Sequence, residues 1–312
     1  MATVLLTGGT GLIGKALTKL LLGKGYEIIV LTRQPLTGFR TPVPGIRFAA
    51  WDPEKQSLDT DAMQQADYII HLAGAGIAEE RWTARRKMQI VESRTKGSTL
   101  IIKTLKETPN KVKAVVSASA IGWYGADPST PNVKPFTETD KSDSAFLGAT
   151  CRLWEESIEP VTSMNIRLVK LRTGIVLSKE GGALKEFMRP IRSGIATILG
   201  NGKQCISWIH VDDLCRIYVE ALENKELNGT YNAVAPHPVN NKTMVLALAR
   251  QMKGRFFITL YVPSFILKIM IGELSMEVLK SATVSANKIR ETGFQFLYPS
   301  IEGALKGEFA LL

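Results

Sequence analysis

The sequence predicts an α/β fold: a parallel sheet wound on both faces by helices, followed by a smaller, mostly helical C-terminal domain. Three observations predict it. A strand, glycine loop and helix open the chain at TVLLTGGTGLIG, residues 3–14. Short apolar runs then alternate with helical patterns, the rhythm of a parallel sheet with crossover helices. After about residue 174 that rhythm stops, and Gly-rich turns appear at Gly181-Gly182 and Gly200-Asn201-Gly202.

The opening unit is the most specific. TVLLT is a β-branched and leucine run suited to a buried strand, and it ends at Gly8. Leu12, Ile13, Ala16, Leu17, Leu20 and Leu21 then repeat at helical spacing. Gly8, Gly11 and Gly14 stand three apart between strand and helix. That is the geometry of a Rossmann-type dinucleotide loop, which sets a pyrophosphate on unpaired amides at a helix N-terminus. Gly8, Thr10, Gly11, Leu12, Ile13 and Gly14 are the candidate phosphate contacts.

The remaining strands are expected at Glu27–Thr32, Ile46–Ala49, Asp67–Leu72, Lys113–Ala118 and Asn165–Leu171. Helices are expected near 12–23, 83–107, 145–159 and 211–223. Together they make a doubly wound sheet in a dinucleotide domain over 1–235, with 174–207 contributing to the substrate side. A C-terminal substrate-side domain over 236–312 reads as short helices separated by Pro263, Gly272 and Gly293. The apolar helix at 264–271 is expected to pack internally in preference to forming a membrane or partner surface.

The second strand discriminates between nicotinamide cofactors. An acidic residue at its end would hold a ribose 2′-hydroxyl. Here Thr32 is followed by Arg33, 19 residues beyond Gly14. A guanidinium pairs with a 2′-phosphate, so NADP(H) is expected over NAD. Leu72, Ala73 and Gly74 follow another strand, and the last two are small enough to let a cofactor pass closely. His71 reads as a strand residue.

Composition bounds the rest. Apolar residues make up 45% and charged residues 22%, as in an ordinary globular protein. The net charge of +10 comes from basic residues spread along the chain, without a basic tail or interleaved aromatics, so nucleic acid is not an expected partner. Cys151, Cys205 and Cys215 show no CxxC spacing, which suits a reducing compartment. No apolar run is long enough to span a bilayer, and the first strand starts too early to leave room for a signal peptide. A cytoplasmic protein with a small-molecule substrate and no membrane partner is expected.

Longer motifs narrow the reading. TGGTGLIG (7–14), HLAG (71–74) and SASAIGWYG (117–125) resemble the extended short-chain dehydrogenase/reductase superfamily, which includes nucleotide-sugar epimerases and dehydratases. FLGATCRLWEE (146–156), LRTGIVLSKEGGAL (171–184) and GNGKQCISWIHVDDL (200–214) resemble its atypical "epimerase family" subgroup. The resemblance implies that Thr32 and Arg33 meet the 2′-phosphate and that Leu72–Gly74 lie beside the adenosine ribose. It implies that Arg94, three residues before Gly97, stands where many members keep an asparagine. It also implies that the segment from Arg172 to Val176 lines the nicotinamide side.

The superfamily's acid–base pair is Tyr-x-x-x-Lys on one helix face. No tyrosine here has a lysine four residues later. Alignment on Glu155 puts Leu147 and Cys151 at the two positions, and with Trp154 and Ile158 they form an apolar face. Ser119 matches the superfamily's active-site serine. Tyr124 is the nearest other phenol, with a packed turn residue as its plainer reading. His210, Asp212 and Asp213 lack metal-ligand spacing, and the two aspartates read as a helix's first turn. Two readings stay open: an NADP-dependent oxidoreductase or epimerase using Ser119 and Tyr124, and a non-enzymatic NADPH-binding protein.

Overall fold

The computed structural model describes residues 1–33, 43–130 and 132–310. Residues 34–42, 131, 311 and 312 lie outside the description, the last two belonging to the expected 236–312 domain.

The chain runs β1 (Thr3–Thr7), α1 (Leu12–Gly23), β2 (Glu27–Thr32), β3 (Ile46–Asp52), β4 (Ser57–Leu58), α2 (Thr60–Gln65), β5 (Tyr68–His71), α3 (Ala84–Glu107) and β6 (Ala114–Ala120). It continues through α4 (Phe146–Ile158), β7 (Arg167–Thr173), β8 (Ile175–Leu177), α5 (Gly182–Arg192), β9 (Ile195–Leu199), β10 (Cys205–Ile206) and β11 (Trp208–His210). The last elements are α6 (Val211–Glu223), β12 (Gly229–Ala233), β13 (Val239–Asn240), α7 (Asn241–Lys253), β14 (Ile258–Val262), α8 (Ser264–Ile271), α9 (Leu274–Leu279), α10 (Asn287–Glu291) and α11 (Ile301–Phe309).

Eight strands form the main sheet in the order β12-β7-β6-β5-β1-β2-β3-β4. All its pairings are parallel except β3 with the two-residue β4. The order reverses at β1, which has β2 on one side and β5 on the other. Ligand crevices in open α/β sheets lie beyond the strands' carboxyl ends at such a reversal, and Gly8 and Leu72 follow these two strands there.

Burial of both faces explains the unbroken apolar strands. Val4 and Leu6 turn to the side covered by α1 and α6, against Leu17, Leu21, Leu214 and Tyr218. Leu5 turns to the other side, with Ile29 and Leu31, against Leu100, Ile101 and Leu105 of α3. Each such side chain contributes about 1.5–3 kcal/mol by leaving water. A third cluster joins Leu184 and Ile191 of α5, Ile198 of β9, Trp208, Leu248 of α7 and Leu305 of α11. The segment after β7 therefore packs with the chain beyond 235.

Two expectations for the C-terminal part need correction. Residues 258–262 form a strand, β14, paired in parallel with β9; its β-branched and aromatic run ITLYV finds a partner about sixty residues away. The helix at 264–271 is not internally packed. Leu267 is buried, but Phe265, Ile269 and Met270 are mostly exposed.

Candidate functional site

The loop between β1 and α1 is set by glycine. Gly8 has φ 69°, which disfavours an L side chain. A Cβ at Gly14 would collide with the Gly8 carbonyl oxygen and stand 2.6 Å from Gly9 Cα. Only a residue without a side chain lets α1 seat this close under the loop. Gly11 is the N-cap, with no side-chain hydrogen bond and no acidic residue in the first turn. By contrast α2, α3, α7 and α11 are capped by Asp59, Thr83, Asn240 and Ser300. The start of α1 thus presents amides without a competing carboxylate, the property an anion needs. Thr10 and Gly11 are exposed at the tip, while Leu12 and Ile13 are half-buried.

The two expected cofactor loops meet. A Cβ at Gly8 would lie 3.0 Å from the Leu72 carbonyl carbon. Thr7 Oγ1 accepts the amide hydrogens of Leu72 (3.0 Å) and Ala73 (3.1 Å) and lies 2.8 Å from His71 Nδ1. With both lone pairs taken, Thr7 donates its own hydrogen to Nδ1. The His71 proton then sits on Nε2, 3.3 Å from Ser98 Oγ. Burial pushes His71 down to about 4, so the ring is a neutral brace at neutral pH. Thr32 is buried at the end of β2, and Arg33 is exposed immediately beyond it.

Further along the loop after β5, Gly74 lies against the Arg94 guanidinium, 3.2 Å from a Cβ position to Cζ. Arg94 stacks 5.0 Å from the Trp154 ring and donates to the Ile90 carbonyl at 2.8 Å. Burial lowers its pKa, the Cys151 sulfur opposes that shift, and Arg86 adds to it. Val176 is half-buried in β8, which pairs with β11 outside the main sheet. Leu12 lies beside the start of α5, where a Cβ built at Gly182 would be 3.3 Å from Leu12 Cδ2.

At the dyad positions the helix face is apolar. Leu147, Cys151, Trp154 and Ile158 are all buried. Leu147 joins Trp82, Ile90 and Leu274, so this part of α4 docks the 77–82 loop and α9. Burial pushes the Cys151 thiol up to about 12, which leaves it inert.

Ser119 and Tyr124 are both drawn into one buried polar network. Ser119 is 3% exposed and donates to Glu155 Oε1 at 2.7 Å. Arg172 donates to the same carboxylate from Nε at 2.8 Å and from its terminal nitrogen at 3.1 Å. Arg172 also donates to the Tyr124 oxygen at 3.1 Å and lies 3.6 Å from the Trp123 ring centroid. Burial opposes the charge of Arg172, yet the Glu155 hydrogen bonds and charge leave its pKa raised. Tyr124 is 0% exposed and donates to Asn232 Oδ1 at 2.7 Å. Burial pushes its phenol up to about 12, against the opposing pull of Arg172. Its ring stacks on Phe136 at 5.2 Å. Tyr124 is thus fully buried, with its hydroxyl hydrogen held by Asn232 and not presented at a surface.

Sequence reasoning used Glu155 only as a landmark and missed the ion pair. The signal was present. Glu155 falls on the same helix face as Leu147 and Cys151, and Arg172 interrupts an apolar strand. A charge on a buried face requires a partner. His210 caps α6 by accepting the Asp212 amide hydrogen at 3.1 Å, and its Nε2 lies 3.0 Å from Glu308. Asp212 and Asp213 occupy that helix's first turn. Asp213 accepts from the Leu297 and Tyr298 amides at 2.8 and 2.9 Å.

Comparison with known proteins agrees with this architecture. The NAD dependent epimerase/dehydratase family model matches residues 4–234, and a domain of unknown function (DUF1731) matches 262–307. The epimerase family protein YfhF of Bacillus subtilis is 32% identical over 303 residues, 97% of this chain and 96% of its own. The chloroplastic SDR39U1 homolog of Arabidopsis thaliana is 32% identical over 314 residues, covering 97% of this chain and 86% of its own. The crystal structure of human SDR39U1 (isoform 2) with NADPH superimposes with a TM-score of 0.86 at 28% identity, covering 99% of this chain and 100% of that one. By sequence and by fold, then, the chain belongs to the NAD-dependent epimerase/dehydratase family.

Proposed function

We propose that this chain binds NADP(H), with the pyrophosphate on the amides of Gly8–Gly14, including those of Thr10, Leu12 and Ile13. The adenosine ribose runs beside Leu72, Ala73 and Gly74, and the 2′-phosphate meets Thr32 and Arg33. Arg94 and Val176 border the nicotinamide side. The observation that carries this reading is the uncapped start of α1, pressed against Gly8 at Gly14. The human relative solved with NADPH supports the choice of cofactor.

When bound, NADPH supplies a hydride. The chemistry that best fits is oxidoreduction or epimerisation of a small carbonyl or sugar-like substrate, with the proton coming from solvent or from the substrate. No side chain of the dyad face has a free acid to offer, because Leu147 is apolar and Cys151 is held neutral. A second reading, a non-enzymatic NADPH-binding protein, is favoured by one observation. The hydroxyl hydrogens of Ser119 and Tyr124 are both committed inside the network. In that reading cofactor at α1 orders the C-terminal part through Leu12, which lies beside the start of α5.

The test has two arms. Thermal unfolding with NADPH and NADH should show larger protection by NADPH; equal protection would remove Arg33 from its role. Carbonyl compounds and nucleotide sugars are then screened by NADPH absorbance, with Ser119→Ala alongside. Turnover lost in that variant assigns the serine to substrate, and turnover retained assigns it to the Glu155 network. No turnover across the panel, with NADPH protection intact, selects the second reading.

A further inference from the structure

We propose, resting on the cofactor reading above, that Arg94 holds a carboxylate of the substrate, which makes that small carbonyl or sugar-like molecule an acid. Arg94 lies on α3, where its guanidinium meets Gly74 of the loop after β5 and the Trp154 ring of α4. Its one hydrogen bond runs from Nη1 to the Ile90 carbonyl at 2.8 Å. Nε and Nη2 have no partner among the described residues, and neither is sealed from solvent as Arg86 Nε is. Nε–H and one Nη2–H point the same way and form the side edge of the guanidinium, which takes both oxygens of a carboxylate. Arg172 shows that edge in use, holding the two Glu155 oxygens at 2.8 and 3.1 Å. On Arg94 no described side chain takes it.

Charge selects the occupant. The two buried arginines among the described residues are compensated, Arg86 by Glu79 and Glu80 and Arg172 by Glu155. Half-buried Arg167 donates to three backbone carbonyls, those of Ala221, Leu222 and Leu227. Arg94 has neither a carboxylate nor a set of carbonyls. Glu92, two residues away on α3, is paired with Lys96. Cys151 is held neutral by burial, and Arg86 adds a second positive charge. A cation drawn from water without a counter-ion costs the fold free energy, and a bound anion returns it. The cofactor's own phosphates have α1, Thr32 and Arg33 in the reading above. Arg94 lies instead against Trp154, on the α4 face whose Leu147 and Cys151 stand at the positions the resemblance assigns to the dyad. The Ala75 amide donates to Ser93 Oγ at 2.9 Å and pins the loop beside the guanidinium. Any side chain at Gly74 would start 3.2 Å from Cζ and crowd it.

The experiment is thermal unfolding of the full chain saturated with NADPH and titrated with pyruvate, with glucuronate and with the methyl ester of each. The rise of Tm with concentration gives apparent dissociation constants. At least one acid should bind about tenfold or more tighter than its ester, the worth of a charge-assisted hydrogen bond. Arg94→Met should erase that preference, and Arg94→Lys should keep part of it, as a point charge without the fork. Without ligand, Arg94→Met should melt no lower than the parent chain. Ser93 Oγ still donates to the Ile90 carbonyl at 3.1 Å, and an uncompensated charge is gone. A lower Tm with the acid preference intact assigns the guanidinium to packing and overturns the proposal. Equal binding of acids and esters by the parent chain also overturns it, with no variant required to fold. A loss of NADPH affinity in Arg94→Met as large as its loss of acid binding overturns it too, by giving the guanidinium to a cofactor phosphate. Absence of NADPH protection in the parent chain is a separate result, which fails the cofactor reading and this role with it.

Discussion

Replacing Arg172 by leucine removes one side of the buried ion pair and leaves the other stranded. Glu155 would lose hydrogen bonds of 2.8 and 3.1 Å, and Tyr124 would lose its 3.1 Å donor. Removing one partner of a buried pair costs about 3–5 kcal/mol. Lys170 Nζ stands 3.8 Å from the same carboxylate and offsets part of the loss, which places Arg172→Leu near the lower bound, about 3 kcal/mol. At about 2.1 cal/mol/K per residue over 312 residues, that lowers Tm by about 5 °C. The assay is urea unfolding with thermal melts, for Arg172→Leu, Glu155→Leu and the double variant. Two apolar residues in place of the pair leave no buried charge, so the double variant should lose less than either single variant. NADPH protection should persist, since α1 is untouched. A loss below about 1 kcal/mol in Arg172→Leu, or strict additivity in the double variant, would refute the reasoning.

Three further outcomes follow from the site. Gly14→Ala drives a Cβ into the Gly8 carbonyl oxygen and should weaken NADPH binding about tenfold or more, at the roughly 1–3 kcal/mol of an overpacked contact; an unchanged Kd by calorimetry would remove α1 from the phosphate site. Arg33→Asp should cost NADPH about ten- to a hundredfold in affinity while sparing NADH, the worth of a charge-assisted hydrogen bond; a retained preference would locate the 2′-phosphate elsewhere. His71 is held neutral in the fold at about 4 against about 6.5 when unfolded. Between those values the unfolded chain binds more protons, so this contribution is intact above about pH 6.5 and is lost as pH falls towards 4, by up to about 3 kcal/mol. His71→Asn should flatten stability over that window in urea titrations, and an unaltered slope would assign the acid sensitivity to other groups.

The Rossmann half was legible because each of its signals is local. β1, the glycine loop and α1 are contiguous, and α6 occupies 211–223 as its apolar spacing indicates. Strand ends were less legible: β6 and β7 run two residues further than expected, because Ser119 and Ala120 pair with Arg172 and Thr173 and continue the ladder past the apolar runs. β8, β9 and β14 were not legible. Each is short, and each is stabilised by a partner distant in sequence, as β9 is by β14. The exposure of α8 was hidden for a related reason. A helix of eight residues with six apolar ones looks the same in sequence whether or not anything covers it.

The network at Glu155 bears on what the chain can do with a cofactor. A hydride delivered to a carbonyl leaves an alkoxide that needs a proton. Ser119 has one hydroxyl hydrogen, and Glu155 accepts it; Tyr124 has one, and Asn232 accepts it. To protonate a substrate, Ser119 would have to give up a hydrogen bond to a charged acceptor worth about 1.5–3 kcal/mol. Tyr124 would also have to leave a site where its pKa is about 12. Arg172 cannot substitute, because its guanidinium stays protonated. At the positions the resemblance assigns to the dyad the helix face does other work: Leu147 packs against Trp82 and Leu274, and Glu155 on the same face holds an ion pair with Arg172 at the end of β7. The proposed phosphate and adenosine contacts lie on α1 and the β1 and β5 loops, none of which contributes a side chain to this network. The two properties can thus be separated by mutation, which is why a binding measurement and a turnover measurement on the same variants carry different information.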